Sequence, residues 1–292
     1  MRLKDIHRLI QVTVSTTDIK IREITSRVTL AYYEEFYKLN AAAIALDNFI
    51  VVVDALYYPS QGSKFREYLE TKYNLPIRNL FITHYHGDHV LAMSAFRGIE
   101  VVGTEWLRES MKRRIENHWT KKAFDNWKIE NPELADEIDE IKIWLPDKTF
   151  KDFYVIEDGN LRVELYRSGG HTRCSAFAYF PEDKILFAGD EIAAKEWPYI
   201  SDETGNPDDY ISALEQMMKL EVDIVIPGHG PTIGKDHIKE YLSFISKLRD
   251  LVIAAVEENR RPEDIEVPDF YEPAVDWQIE KALSFMYNFY KS

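Results

Sequence analysis

Cysteine is almost missing. Cys174 is the single thiol in 292 residues, so no disulfide can close within the chain and no cysteine-rich structural zinc site can form. Long apolar runs are missing too. No stretch reaches the roughly 18 uninterrupted apolar residues of a spanning helix. The opening "MRLKDIHRLIQVTVSTTDIK" carries charges where a secretory leader needs its apolar segment. Together these absences lead us to expect a cytoplasmic protein with no membrane partner. Basic residues are outnumbered, 36 Lys and Arg against 50 Asp and Glu, for a net charge of -14 and a pI near 5.1. That balance argues against a broad nucleic-acid surface. Gly/Ser linkers, internal repeats and low-complexity tracts are also lacking. With 45% hydrophobic residues, the chain still has material for a substantial core.

What is present reads as alternating strand and helix. "RLIQVTV", "IREITSRVTLAYY", "AAAIAL" and "FIVVVDAL" are β-branched or apolar runs between polar breaks, and strands are predicted there. "SKFREYLETKY" has helical spacing, and "IRNLFITH" suggests a strand buried on both faces. From about 104 to 142 the pattern turns helical. "TEWLRESMKRRIENHW" and "NPELADEIDEIKIW" are predicted helices, with Thr104 and Asn131 as N-caps and Pro132 at the first helical position. This is an insertion within one domain spanning 1–292, because strands resume at "FYVIEDGNLRVELYR", "SAFAYF" and "KILFAGD". A helix at "PDDYISALEQMMKL" and a strand at "VDIVIPGHG" follow. Helices then form a C-terminal extension over about 236–292. The class is α/β.

Histidine is scarce, eight in the chain, yet three fall in "FITHYHGDHV": His84, His86 and His89, with Asp88 beside them. Side chains two apart on extended backbone share a side, so His84 and His86 project together. Gly87 lets the chain turn and bring Asp88 and His89 back. Three further strand ends run into glycine-bordered turns bearing one donor each: His171 in "SGGHT", Asp190 in "FAGD" and His229 in "IPGHG". Oxygen and imidazole donors of this kind suit Zn(II), Fe(II) or Mn(II).

The combination HYHGDH, GGHT, AGD and PGHG resembles the metallo-β-lactamase superfamily over roughly Asn40 to Pro231. The resemblance implies an αββα sandwich with metals at one edge. It implies that His84, His86 and His171 hold one divalent ion, that Asp88, His89 and His229 hold a second, and that Asp190 bridges both. Asp54, in "VVVDAL", would support the site from behind. The function implied is a dinuclear metallo-hydrolase, with zinc ahead of iron or manganese. Its metal-bridging hydroxide would attack small ester-like substrates such as a lactone, thioester or phosphoester. Asp88 and Asp190 are the candidate catalytic carboxylates, Asp190 by bridging and Asp88 by orienting the nucleophile or receiving a proton.

The chain departs from the family at "GGHTRCSAF", where Cys174 replaces a small residue and reads as a buried neutral thiol. Aspartate rather than cysteine at position 190 disfavours the antibiotic-resistance enzymes whose second metal is held by cysteine. Two other functions stay open: a persulfide dioxygenase-like oxidoreductase with one iron, and an RNA-processing nuclease, which the acidic balance disfavours. His7 and His237 read as surface residues and His118 as an exposed helical histidine. Lys195, Trp197 and Tyr199 either line the substrate site or pack their own loop. The aromatic tail "FMYNFY" reads as core or as a homodimer contact.

Overall fold

Short apolar runs, most of them buried on both faces, build two sheets. A computed structural model describes residues 18–33, 38–271 and 276–291; His7 and "RLIQVTV" lie outside these. The first sheet holds β1 (Lys20–Glu23), β2 (Val28–Tyr32), β3 (Asn40–Ala45), β4 (Ile50–Val53), β5 (Ile77–Phe81), β6 (Glu100–Thr104) and β7 (Lys148–Phe150), in that spatial order. It is antiparallel from β1 to β4 and parallel from β4 to β7. The second sheet holds β8 (Phe153–Asp158), β9 (Leu161–Arg167), β10 (Ala176–Phe180), β11 (Ile185–Ala193) and β12 (Ile224–His229), in the order β12-β11-β10-β9-β8. Of its pairs, β11 with β12 is parallel.

The two sheets meet face to face. Leu30, Ala42, Ile44, Val51 and Val53 of the first lie in one apolar layer with Val163, Leu165, Ala178, Phe180 and Phe187 of the second. The alternate residues face outward, since successive side chains of a strand point to opposite sides. Ala41, Ala43, Val52 and Leu80 receive Phe65 and Leu69 of α1 (Pro59–Tyr73). With both faces covered, β3 and β4 are buried along their whole length, the pattern of a sheet wrapped by helices. The result is an αββα sandwich.

The short α2 (Gly87–Val90) and a 3₁₀ segment (Leu91–Phe96) follow β5. The insertion consists of α3 (Glu105–Asn117), α4 (Lys121–Glu130) and α5 (Ala135–Glu140). Thr104 caps α3 as expected, its Oγ1 accepting from Leu107 N–H at 3.0 Å. Asn131 and Pro132 open a 3₁₀ turn, Pro132–Leu134, before α5 begins. The expected helix through Trp144 stops at Glu140. Beyond it Ile143, Trp144 and Leu145 pack against the first helical layer, and Pro146 disfavours helix in the residue before it. The insertion is seated beside the segments that follow β4 and β5, where Trp127, Leu134, Ile138 and Ile141 bury against Tyr58 and Leu91.

The C-terminal part supplies the other outer layer. α6 (Pro207–Met218), α7 (Lys235–Glu257) and α8 (Asp276–Lys291) share one core with Phe177, Leu186 and Ala188 of the second sheet. This corrects the reading of His237 as a surface residue. It lies on the inward side of α7 beside Ile238 and Tyr241, is 6% exposed, and its Nδ1 is 2.8 Å from the Tyr271 hydroxyl. Among the described residues no helix is long and apolar enough to cross a membrane.

Candidate metal centre

Strand ends deliver most of the expected donors to one place. β5 ends at Phe81, and three residues later His84 leads into His86, which stands at the N-cap of α2 with extended backbone. The two rings lie 4.7 Å apart between centroids. The chain turns at Gly87 by entering α2, which carries Asp88 and His89 in its single turn. His171 sits in the turn between β9 and β10, and His229 closes β12. Asp190 differs from expectation, because β11 continues past it to Ala193. The pairing with β12 slips twice there, between Phe187 and Gly189 and again before Ala193. A slip of this kind re-aims a side chain, and Gly189 supplies the left-handed turn (φ +55) that allows it.

Asp190 occupies the centre. Its Oδ2 lies 3.5 Å from His84 Nε2, 3.6 Å from His171 Nε2 and 3.2 Å from His229 Nε2, and its Oδ1 lies 3.1 Å from His89 Nε2. Asp88 Oδ2 is 3.3 Å from His229 Nε2 and 3.6 Å from His89 Nε2. His86 Nδ1 faces His171 Nε2 at 3.1 Å. The seven side chains form two groups: His84, His86, His171 and Asp190 in one, Asp88, His89 and His229 in the other. Within each, the candidate ligand atoms all lie within 4.8 Å of one another.

The outer nitrogens settle which ones face inward. His89 Nδ1–H donates to Asp54 Oδ2 at 2.8 Å. Thr83 Oγ1 donates to Asp54 and therefore accepts from His84 Nδ1–H at 3.1 Å. His171 Nδ1–H donates to the Tyr199 carbonyl at 2.8 Å, and His86 Nε2–H to Asp202 Oδ2 at 3.1 Å. With one nitrogen of each ring bound as a donor, the other is turned inward and presents a lone pair whenever the ring is neutral. Four imidazoles thus turn their remaining nitrogens towards Asp190 and one another. His84 Nε2, His89 Nε2 and Asp190 Oδ1 are buried and have no hydrogen-bond partner. Lone pairs brought this close repel unless a cation stands between them, and outward N–H groups tied to carboxylates or carbonyls are the usual support of metal-binding imidazoles. The donor set therefore fits divalent metal.

The electrostatics divide the rings. Burial, followed by the neighbouring imidazoles, pushes His84 well down and His171 down to about 4, so both stay neutral. Burial works against charge on His89 and His229 as well, but Asp190 leads a set of carboxylates that more than offsets it and raises both. Burial also opposes ionisation of Asp88, yet His89 and His229 hold it down to about 2. A cation binding here would displace protons from His89 and His229.

Several supporting groups were not legible as such. Asp202 and Thr83 orient rings, as above. Glu191 is 1% exposed; burial pushes its carboxyl well up, and its Oε1 accepts from the His171 N–H at 3.3 Å. Of Lys195, Trp197 and Tyr199, Tyr199 is the one that borders the donors, its ring 5.5 Å from His171 and 6.1 Å from His86 between centroids. Trp197 packs on Phe244 in the core and Lys195 is exposed. His118 is exposed at the end of α3. Cys174 is fully buried, and burial pushes its thiol up to about 11.

Comparison with known proteins follows the same lines. Residues 38–229 match the metallo-beta-lactamase superfamily. A Caenorhabditis elegans protein described as "Beta-lactamase-like protein 2 homolog" is 26% identical over 211 residues, which cover 72% of this chain and 62% of that protein. A chicken (Gallus gallus) protein described as an acyl-coenzyme A thioesterase is 30% identical over 111 residues, 35% of this chain and 38% of its own. The chain thus spans less than two thirds of either relative. The solved structure of a metallo-beta-lactamase from Pontibacter korlensis superposes with a TM-score of 0.61 at 19% identity, covering 78% of this chain and 99% of that one.

Proposed function

Since the chain belongs to the metallo-beta-lactamase superfamily, we propose that it is a dinuclear metal-dependent hydrolase acting on small ester-like substrates, namely lactones, thioesters or phosphoesters. The observation that carries this reading is the convergence of the inner nitrogens of His84, His89, His171 and His229 on Asp190, with His84, His89 and His171 tied down from outside. His84, His86 and His171 would hold one ion, Asp88, His89 and His229 the other, and Asp190 both. Zinc is the first candidate, with iron or manganese as alternatives. When bound, such a pair supplies Lewis acidity towards a substrate oxygen and a water acidic enough to react near neutral pH.

The chain's own groups do the rest. Asp190 lies between the two donor sets, so its charge offsets the repulsion between two cations. The Asp88 side chain is 21% exposed against 10% for Asp190, which makes it the carboxylate that substrate and solvent reach. We assign it the proton released by the attacking water and its return to the leaving group. Tyr199 borders the same space, and its phenol is the candidate donor to the substrate oxygen as charge builds there. We take residues 1–292 as one cytoplasmic domain with a small-molecule substrate and no nucleic-acid partner.

A single iron on two histidines and an aspartate would leave the Asp88, His89 and His229 group without a task. That favours the dinuclear hydrolase over a persulfide dioxygenase. The test is a hydrolysis screen of the zinc-loaded chain on acyl-coenzyme A thioesters, lactones, carboxylic esters and phosphodiesters. Thioesters come first because the chicken relative bears that description. Turnover in one class, lost on chelation, supports the reading. Oxygen uptake with a persulfide and no hydrolysis would contradict it.

A further inference from the structure

His86 is held by a chain of contacts that ends in the helical insertion. Its Nε2–H donates to Asp202 Oδ2 at 3.1 Å. The same oxygen accepts from the Tyr85 hydroxyl at 2.6 Å, and that hydroxyl in turn accepts from Arg114 Nη2 at 2.9 Å. The guanidinium carbon of Arg114 also lies 4.6 Å from the centre of the Tyr85 ring, so the phenol is gripped at its face and at its tip. The other oxygen of Asp202 accepts from the N–H and the hydroxyl of Thr204 at 2.8 and 2.6 Å. Tyr85 is 2% exposed, Asp202 4% and the Arg114 side chain 16%.

Tyr85 is the residue between the first two histidines of HYHGDH. Phenylalanine would fill nearly the same volume, so the hydroxyl is what calls for a physical reason. A buried hydroxyl and a buried carboxylate need partners, and here each is the other's. Asp202 is fixed by four donors, and its position decides which way the His86 ring faces. Outer partners of this kind tune how well a ligand binds metal. Arg114 places a positive charge on the far side of the Tyr85 hydroxyl from that carboxylate, its other partner being the exposed Glu203 at 3.5 Å, and a donor to the phenol oxygen strengthens the bond the phenol gives Asp202. Arg114 comes from α3, so the insertion reaches the donor set through one side chain.

We infer that Arg114 and Tyr85 are positioning residues for His86, and that the insertion sets the affinity of the first metal site through the Arg114–Tyr85–Asp202 chain. The inference rests on the two-metal reading above, but its test needs no substrate. Zinc affinity is measured by competition with a chromophoric chelator on the parent, Tyr85→Phe, Arg114→Met, Arg114→Lys and the Tyr85→Phe/Arg114→Met double variant. Thermal unfolding of each metal-free form is recorded alongside. Each of Tyr85→Phe and Arg114→Met should weaken one of the two zinc sites by about 10-fold and leave the other unchanged. Arg114→Lys, which keeps a charge and a donor, should recover part of the loss. Because Arg114 acts through the Tyr85 hydroxyl, the double variant should lose no more than the worse single one.

Unchanged affinity at both sites in Tyr85→Phe would overturn the inference. So would equal losses at both sites, additive losses in the double variant, or a loss that tracks destabilisation of the metal-free form. A parent that binds only one zinc would instead sink the dinuclear reading, and the same comparison at that single site would still decide the role of Arg114 and Tyr85.

Discussion

Gly228 gives Asp190 its room: a Cβ added at Gly228 would stand 1.9 Å from Asp190 Oδ1 and 2.8 Å from the Gly189 carbonyl carbon. The carboxylate that would bridge the two donor sets is thus seated against bare backbone of the neighbouring strand. Gly228→Ala should displace it and lower both metal content and turnover, by on the order of 100-fold in rate. Gly234 is the control. Its added Cβ meets nothing within 4 Å, so Gly234→Ala should keep its metal and its rate. Elemental analysis with a rate assay on the two variants checks the pair, and a Gly228→Ala enzyme with parental metal content would contradict the bridging role.

The donors themselves come next. His86→Ala and His171→Ala should abolish hydrolysis and weaken the first metal site, while Asp190→Ala should lower metal occupancy and rate together. Full activity in either histidine variant would remove the catalytic assignment. Both metals and full turnover in Asp190→Ala would remove the bridge.

Metal removal should be read in stability as well as rate. His84 Nε2, His89 Nε2 and Asp190 Oδ1 are buried without hydrogen-bond partners, a cost that a bound cation relieves. With free zinc about 1,000-fold above its dissociation constant, one ion adds about 4 kcal/mol. In a chain of this size that moves the unfolding midpoint by on the order of 10 °C. Chelation should lower the midpoint accordingly and added zinc should restore it. A midpoint indifferent to chelator would mean that the cluster binds no metal tightly.

Cys174 should be inert. Burial pushes its thiol up to about 11, so at pH 8 the thiolate that reacts with disulfide reagents is almost absent. The native protein should not react, and the denatured protein should release one thiol per chain. Cys174→Ser should keep activity within a few-fold. Rapid labelling of the native protein, or complete loss of activity in the serine variant, would show that the thiol takes part.

The legible part of this molecule is the part where scarce residue types stand at strand ends. His84, His86, His171 and His229 could be picked out because imidazoles beside glycines after apolar strands have few other reasons to recur. Asp190 was picked out for the same reason, but its turn lies inside a strand, because a register slip leaves no mark in "KILFAGDEIA". Asp202 was not legible at all. It lies 116 positions from His86, in a polar loop where any acidic residue reads as solvated.

Helix α4 was missed because its apolar residues mislead: Trp127 is buried while Ile129 is 78% exposed. The clearer sign was Thr120, whose Oγ1 accepts from the Ala123 N–H. His237 was misplaced because segments distant in sequence, Tyr271 and the backbone of Lys195, meet it in the fold. Contacts that join distant segments carry no local pattern, and they are where reading the chain alone stops.

The central claim is that two divalent ions share Asp190. Elemental analysis of the purified chain, with parent and Asp88→Ala side by side, tests it most directly. The account predicts close to two zinc, manganese or mixed zinc/iron ions per parent chain and close to one in Asp88→Ala, the first donor set keeping its ion. One iron per parent chain, unchanged in Asp88→Ala, would contradict it.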